Sequence, residues 1–249
     1  MIDIHSHILP SVDDGAESLE ISLKMAQVAV ADGVTDMIVT PHCNIPKFFD
    51  NYDSVTLVEY FNMLKKHLER NDIPLNLYRG MEVYATEKIF DLYTTERIIT
   101  LNDSRYLLVE FNFDENPDWV LYCLENLVDL GVTPIVAHPE RYNFVNDFPN
   151  MPFHWAKMGC LSQINRGSLM GKFGKDAMRL AVAMIDKNLA HFVASDAHSF
   201  DRRSPMLSFA YTIIEKNWSK DLAEKMLIKN PRAVIEDRKI IVDEPKPIV

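Results

Sequence analysis

The chain has 249 residues, of which 47% are hydrophobic and 25% charged, the composition of a globular protein large enough to bury its own core. Its formal net charge of −10 argues against non-specific binding to nucleic acid or to an anionic membrane, although bound divalent metals can reverse the potential in a cleft and so admit an anionic substrate. Its three cysteines form no CxxC motif, and it contains neither a signal-peptide pattern nor an apolar run long enough to span a membrane, so we expect a cytoplasmic protein.

Short apolar runs rich in β-branched residues alternate with longer stretches of helical periodicity. The run 106–109, for example, is apolar throughout, which suits a parallel strand covered on both faces. Regular alternation without a break in composition predicts one α/β domain over residues 1–249, and seven strands fit a closed or nearly closed barrel better than a doubly wound sheet. The predicted strands lie near residues 1–5, 36–41, 76–84, 105–111, 133–138, 160–165 and 190–196, and the predicted helices near 17–32, 53–70, 116–130 and 174–188.

Side chains that commonly bind metals follow nearly every predicted strand. His5 and His7 are two residues apart, so the period of a strand places both on one face, and Asp196 and His198 repeat this arrangement at the last strand. The carboxyl ends of the strands form the active-site face of an α/β barrel, so these side chains are expected to converge. The other residues at such positions are His42, Glu82, Glu110 and His138.

Each of these residues alone has an ordinary explanation as a cap or a salt-bridge partner, but five of the eight histidines fall at matching places. Glu82 and Glu110 are flanked by apolar residues, and burying them is costly unless they are paired or bound to metal. We interpret His67 and His191 as surface or packing residues, and His154 as structural.

The mixed set of imidazoles and carboxylates suits Mn, Zn or Fe, and it is too large for one tetrahedral zinc. Two or three metals sharing a bridging carboxylate are typical of phosphoester hydrolysis. Arg141 and Arg203 fit a clamp for phosphate oxygens, with a surface salt bridge as the alternative for either one. Arg202 adjoins Arg203, so the sequence leaves open which of the two binds phosphate.

A cysteine-based phosphatase needs an arginine six positions after its nucleophile. Only Cys160 has one, at Arg166, and the interval is predicted to be a strand without a glycine to form an anion-binding loop. We interpret this match as accidental. No GxSxG motif or Walker loop is present.

The ordered motifs resemble the CpsB/YwqE family of bacterial tyrosine-protein phosphatases, within the polymerase and histidinol phosphatase (PHP) superfamily. The resemblance spans residues 5 to 203. It rests on His5-Ser6-His7, Asp13-Asp14-Gly15, Thr40-Pro41-His42, Gly80-Met81-Glu82-Val83, Val109-Glu110-Phe111, Ala137-His138-Pro139-Glu140-Arg141 and Ser195-Asp196-Ala197-His198.

The resemblance implies a distorted (β/α)7 TIM-like barrel, the PHP fold, with three metals that are commonly manganese. It implies Arg141 and Arg203 as phosphate-binding residues, and as partner the tyrosine-rich tail of a bacterial tyrosine kinase that controls capsule or exopolysaccharide synthesis. The implied ligands are His5, His7, Glu82 and Asp196 for the first metal, Glu82, Glu110 and His138 for the second, and Asp14, His42 and His198 for the third.

The predicted reaction is direct attack of a metal-bridging hydroxide on phosphotyrosine, with Glu82, His138, Asp196 and the two arginines as catalytic residues. The alternatives are a small-molecule phosphatase of the histidinol-phosphatase type, a metal-dependent amidohydrolase or nuclease, and a non-catalytic binding module. Residues 48–52, which follow His42, are either a substrate-contacting loop or a packing element.

Overall fold

The computed structural model describes residues 1–248. Within them, the strands all pair in parallel. In chain order they are β1 (Ile2–Asp3), β2 (Asp36–Val39), β3 (His42–Cys43), β4 (Asn76–Arg79), β5 (Glu82–Tyr84), β6 (Tyr106–Glu110), β7 (Thr133–Ala137), β8 (Leu161–Asn165) and β9 (Phe192–Ala194).

The α-helices are shorter and more numerous than the sequence predicts. In chain order they are α1 (Leu19–Ala31), α2 (Val55–Arg70), α3 (Ile89–Thr94), α4 (Pro117–Asp129), α5 (Asn143–Asp147), α6 (Met151–Lys157), α7 (Arg166–Leu169), α8 (Lys175–Asp186), α9 (Ser208–Asn217), α10 (Lys220–Glu224) and α11 (Asn230–Ile235). A π-helical turn over Lys225–Lys229 joins the last two. The four predicted helices correspond to α1, α2, α4 and α8.

The structure interrupts one predicted strand and adds a short segment after another. Gly80 and Met81 separate β4 from β5 within the predicted strand 76–84, and Thr40 and Pro41 separate β2 from β3, which lies just beyond the predicted strand 36–41. At Gly80 the chains approach so closely that a Cβ atom would lie 2.8 Å from a Leu101 methyl carbon. Regular pairing therefore gives a three-stranded sheet, β1-β2-β4, and a six-stranded sheet, β3-β5-β6-β7-β8-β9, instead of one continuous ladder.

The last strand segment returns beside the first. The N–H of His7 donates to the carbonyl of Ala197 at 2.9 Å, and the N–H of Asp196 donates to that of His5 at 2.9 Å. The α/β prediction is confirmed, and the architecture is a distorted TIM-like barrel. Its distortion lies at the two interruptions, beside the strand ends that carry His42 and Glu82.

Alternate residues of each strand pack on opposite sides. Leu107 and Val109 belong to the core shared with the helices, whereas Leu108 joins Ile4 and Ile135 in a second cluster formed by the strands themselves. This alternation follows from the two-residue period of a strand. None of the helices within residues 1–248 combines the length and apolarity that a bilayer crossing requires.

Candidate metal centre

Nine side chains meet at the carboxyl ends of the strands, and we call them together the metal centre. They come from six different strand ends or the loops that follow, and all except Asp14 are largely buried. The nine residues are His5, His7, Asp14, His42, Glu82, Glu110, His138, Asp196 and His198.

The imidazoles of His5 and His7 are each held at one nitrogen, which leaves the other facing the centre. His5 Nδ1 lies 2.7 Å from Gln163 Oε1, and His7 Nδ1 lies 2.8 Å from Asp13 Oδ2. Because both partners are acceptors, each Nδ1 donates a proton to its partner, which leaves each Nε2 directed into the centre. The two Nε2 atoms lie 3.2 Å apart. Lone pairs at this distance repel unless they share a proton or a metal cation.

Glu82 lies at the middle of the centre. Its Oε2 is 3.2 Å from His5 Nε2, 3.3 Å from His7 Nε2 and 2.9 Å from His42 Nδ1, and its Oε1 is 3.0 Å from His138 Nε2. Despite the 2.9 Å separation, Glu82 Oε2 and His42 Nδ1 lack the geometry of a hydrogen bond, and both are buried. Two buried atoms that can bind a metal, lack a hydrogen-bond partner and face the same space suit a shared cation.

The two central glutamates have opposite electrostatic surroundings. Burial raises the pKa of Glu82, but the imidazoles of His5 and His42 outweigh it and hold that pKa well below its usual range. Burial, reinforced by the negative charges of Glu82 and Asp196, raises the pKa of Glu110 well above its usual range. Without metal, these surroundings favour the ionised form of Glu82 and the protonated form of Glu110, so binding of a cation to both favours release of a proton.

A second part of the centre is open to solvent at Asp14. Its Oδ1 lies 3.4 Å from His42 Nε2 and 3.4 Å from His198 Nε2, while its side chain is 56% exposed. The hydrogen bond from His198 lowers the pKa of Asp14, so this carboxylate is ionised. His7, Asp14, His42 and His198 can direct one ligand atom each to a common point.

Two residues of the centre adopt left-handed backbone conformations that are uncommon without glycine. His138 has φ of 33° and Asp196 has φ of 50°. His138 directly follows β7, and Asp196 follows β9 with one residue between them. Such strain persists where surrounding contacts over-determine the conformation, and it turns both side chains into the centre.

Two arginines reach the same oxygen of Asp196. Arg141 Nη1 lies 3.1 Å and Arg203 Nη2 lies 2.6 Å from Asp196 Oδ2. Arg202 makes no ion pair among residues 1–248, and its side chain is exposed. The fold therefore brings Arg203 to the metal centre and leaves Arg202 outside it.

The chemistry of the donor set fits divalent metal ions. Carboxylates and neutral imidazoles with Nδ1 held by outer acceptors are the usual ligands of Mn, Fe and Zn. The buried, unpartnered atoms Glu82 Oε2 and His42 Nδ1 would be satisfied by a cation in the centre.

Sequence analysis missed the residues that orient these ligands. Asp13 accepts from the His42 N–H at 2.9 Å in addition to holding His7. Gln163 holds His5, and Asn165 donates to Asp196 Oδ2 at 2.7 Å. Gln163 and Asn165 are two apart at the end of β8, the same pattern as His5 and His7. This two-residue spacing could have indicated that both side chains face the metal centre. Side-chain amides are poor metal ligands, however, and no role was predicted for them.

The three cysteines are poorly suited to act as thiolate nucleophiles. Cys43, Cys123 and Cys160 are all buried, and burial raises the pKa of each to about 12. Cys160 lies just before β8, so the spacing to Arg166 is accidental, as interpreted from the sequence. His191 is buried in packing, which also agrees with its interpretation.

Cavity size does not identify this centre. A cavity of about 650 Å³ lies between the end of α2 and β4, at the amino end of the strands, and its lining contains no histidine. The convergence of donor atoms, not enclosed volume, distinguishes the metal centre.

The chain is similar over nearly its whole length to known proteins. Residues 1–236 match the family model described as capsular polysaccharide synthesis, CpsB/CapC. The tyrosine-protein phosphatase YwqE of Bacillus subtilis is 35% identical over 248 residues, which cover 100% of this chain and 96% of YwqE.

Two solved structures extend this comparison. The first comes from work on YwqE of Bacillus subtilis and CpsB of Streptococcus pneumoniae, described as unique metal-dependent tyrosine phosphatases; it is 35% identical, with a TM-score of 0.94 and coverage of 100% of both chains. The second, histidinol phosphate phosphatase of Lactococcus lactis, is 14% identical with a TM-score of 0.56, covering 87% of this chain and 94% of that one. At that identity the likeness is one of fold alone.

Proposed function

The chain belongs to the CpsB/CapC family, and on that premise we propose that it is a metal-dependent protein-tyrosine phosphatase that hydrolyses phosphotyrosine directly. The observation that carries this proposal is the meeting of two guanidinium groups at Asp196 Oδ2, on the edge of a set of nine metal-type ligands. Metal donors beside an arginine pair suit a phosphomonoester dianion better than a neutral amide.

We propose three divalent metals, with manganese as the physiological ion. When bound, such cations lower the pKa of water and offset the charge of phosphoryl oxygens. Two of the proposed ligand sets share Glu82, namely His5, His7, Glu82 and Asp196 for the first metal and Glu82, Glu110 and His138 for the second. The third set is Asp14, His42 and His198.

The remaining steps fall to the chain's own residues. Arg141 and Arg203 bind phosphoryl oxygens and hold the phosphorus beside the metal centre, with Asp196 fixing the two guanidinium groups when no phosphate is present. Gln163 and Asp13 hold the imidazoles of His5 and His7 in one tautomer.

The leaving group needs little help. A tyrosyl oxygen departs as a phenolate whose conjugate acid has a pKa of ~10, so a strong general acid is unnecessary. Burial and a raised pKa disfavour each cysteine as a nucleophile, and the proposal assigns that role to water.

We propose that the substrate is the tyrosine-rich tail of a bacterial tyrosine kinase of capsule or exopolysaccharide synthesis. The support is the family's link to capsular polysaccharide synthesis. The cytoplasmic location expected from the sequence stays a prediction.

Kinetics on a phosphotyrosine peptide and on histidinol phosphate test the proposal. We expect kcat/KM for the peptide to exceed that for histidinol phosphate at least about a hundredfold, and Asp196→Ala and His138→Ala to abolish turnover. His154→Ala, at an exposed position, is the control. Equal activity on both substrates, or activity retained after complete metal removal, contradicts the proposal.

A further inference from the structure

The loop between β3 and α2 is rigidly built next to the metal centre. We call residues 44–52 the rim loop. The side-chain amide of Asn44 donates to the Tyr84 carbonyl at 2.9 Å and to Thr86 Oγ1 at 2.8 Å, and the hydroxyl of Tyr52 donates to Asn44 Oδ1 at 3.1 Å. Ile45 and Phe49 form a short backbone bridge across the loop.

The far end of the rim loop is tied directly to a proposed ligand. The side-chain amide of Asn51 donates to the carbonyls of His42 at 2.9 Å and Val12 at 3.0 Å. Asn44, Lys47 and Asn51 all have positive φ, a strained conformation for residues other than glycine. Five side-chain hydrogen bonds brace the loop in this conformation.

The two phenylalanines of this loop lie in different environments. The ring of Phe49 stacks on the imidazole of His42, with centroids 5.9 Å apart and planes 8° from parallel. Phe48, at the tip, is 76% exposed. Isolated exposed apolar residues are common on proteins, but this one is at the tip of a strained, braced loop whose next residue contacts the metal centre.

Packing within the protein does not explain the position of the Phe48 side chain at the tip of the loop. Neither the loop's hydrogen bonds nor its bridge uses the side chain of Phe48, and its exposed ring gains no burial from the fold. A ring held out beside an active site gains burial only when a substrate covers it.

We propose that the rim loop recognises the protein substrate: Phe49 forms a wall for the tyrosyl ring, and Phe48 binds an apolar or aromatic side chain next to the phosphotyrosine. We infer a substrate side chain because Phe49 contacts the metal centre, and an apolar or aromatic one because both rings are apolar. This inference rests on the proposed phosphatase function, and it adds a sequence preference that the ligands and arginines do not supply.

Phosphotyrosine peptides that differ at one position test the proposal. One peptide carries leucine and the other glycine next to the phosphotyrosine, and p-nitrophenyl phosphate serves as a substrate with no flanking residues. In the wild-type protein loaded with Mn, we expect kcat/KM for the leucine peptide to exceed that for the glycine peptide about tenfold, mainly through KM. In Phe48→Ala, that ratio falls to about one.

Phe209→Ala is the matched control. Phe209 is 54% exposed on α9, and the neighbouring Ser208 N–H donates to Asp32 at the end of α1, which places this ring at the opposite end of the barrel. We expect Phe209→Ala to keep the leucine preference. Binding of the same two peptides, carrying a non-hydrolysable phosphonate, should show the same ratios by fluorescence anisotropy.

The contradicting outcomes are distinct. A leucine preference unchanged in Phe48→Ala, or no preference in the wild type, overturns the role of the rim loop while p-nitrophenyl phosphate is still hydrolysed. A wild-type protein inactive on all three substrates overturns the phosphatase function, and this inference falls with it.

Discussion

Arg141 and Arg203, from loops more than sixty residues apart in sequence, donate to the same oxygen of Asp196, at 3.1 and 2.6 Å. Neither guanidinium is fully enclosed, since 18% of the Arg141 side chain and 34% of the Arg203 side chain is exposed. Each keeps donors free on its solvent side. The Asp196 carboxylate thus sets the distance between the two guanidinium groups, which together form a clamp.

This clamp distinguishes Arg203 from its neighbour. We expect Arg203→Ala and Arg141→Ala each to lower kcat/KM on a phosphotyrosine peptide by about 10²- to 10³-fold, because each removes guanidinium donors that we propose stabilise the developing phosphoryl charge. Arg202→Ala is the matched control and should lie within about twofold of wild type. A loss in Arg202→Ala as large as in Arg203→Ala would exclude this assignment.

Phe173 packs against Arg141, and Gly167 lies against Phe173. The Arg141 guanidinium lies 4.4 Å from the Phe173 ring centroid, and a Cβ on Gly167 would lie 2.6 Å from Phe173 Cε2. Gly167→Ala should therefore displace the ring and weaken inhibition by inorganic phosphate about fivefold. Lys172→Ala, an exposed neighbour, should leave inhibition unchanged.

A double-mutant cycle separates this effect from general loss of packing. In a Phe173→Ala background the added methyl group has room, so Gly167→Ala should have almost no further effect on phosphate inhibition. Additive effects of the two substitutions would show that Gly167 does not act through Phe173.

Metal removal should lower both activity and stability. The metal centre holds Glu82, Glu110 and Asp196 in close, buried contact, and cations that bind only the folded state add about 2.7 kcal/mol at a hundred times their Kd. We expect dialysis against a chelator to abolish turnover and to lower Tm by about 5–10 °C, with recovery on adding Mn. Elemental analysis before and after gives the number of ions.

Glu82→Gln provides the corresponding variant, because it removes the charge shared by two of the three proposed ligand sets while conserving size. It should purify with fewer ions than wild type, whereas His154→Gln should not. An unchanged metal content in Glu82→Gln would show that the ligand assignment is wrong.

His191 should make stability fall with decreasing pH. Burial lowers its pKa from 6.5 to about 4, and its Nδ1 accepts from the Ser162 N–H at 3.0 Å. Between these values the unfolded chain binds a proton that the folded chain does not, so stability is complete above pH 6.5 and is lost as pH falls toward 4. The full difference is about 3 kcal/mol.

Urea unfolding at pH 7 and pH 5 measures this contribution. His191→Gln, which can still accept from Ser162, should lose less stability than wild type between the two pH values, and His154→Gln should behave like wild type. Equal pH dependence in all three proteins would show that His191 does not titrate on unfolding.

The sequence by itself determined which residues form the barrel strands and which side chains follow them. Apolar runs such as 106–109 and the two-residue spacing of His5 and His7 are local patterns, because a strand exposes alternate residues to the same side. The helices after residue 207 were not predicted; α10 and α11 are short and joined by a π-helical turn, so no window carries a clear period.

Only the tertiary structure decided how those side chains are held. The bond between His5 and Gln163 joins residues 158 positions apart, and nothing near either residue in the chain indicates the other. The choice of Arg203 over Arg202 likewise depends on the tight turn in which the His198 N–H donates to the Arg203 carbonyl at 2.9 Å. Local periodicity specifies the face of a strand, whereas distances between strand ends exist only once the barrel has brought them together.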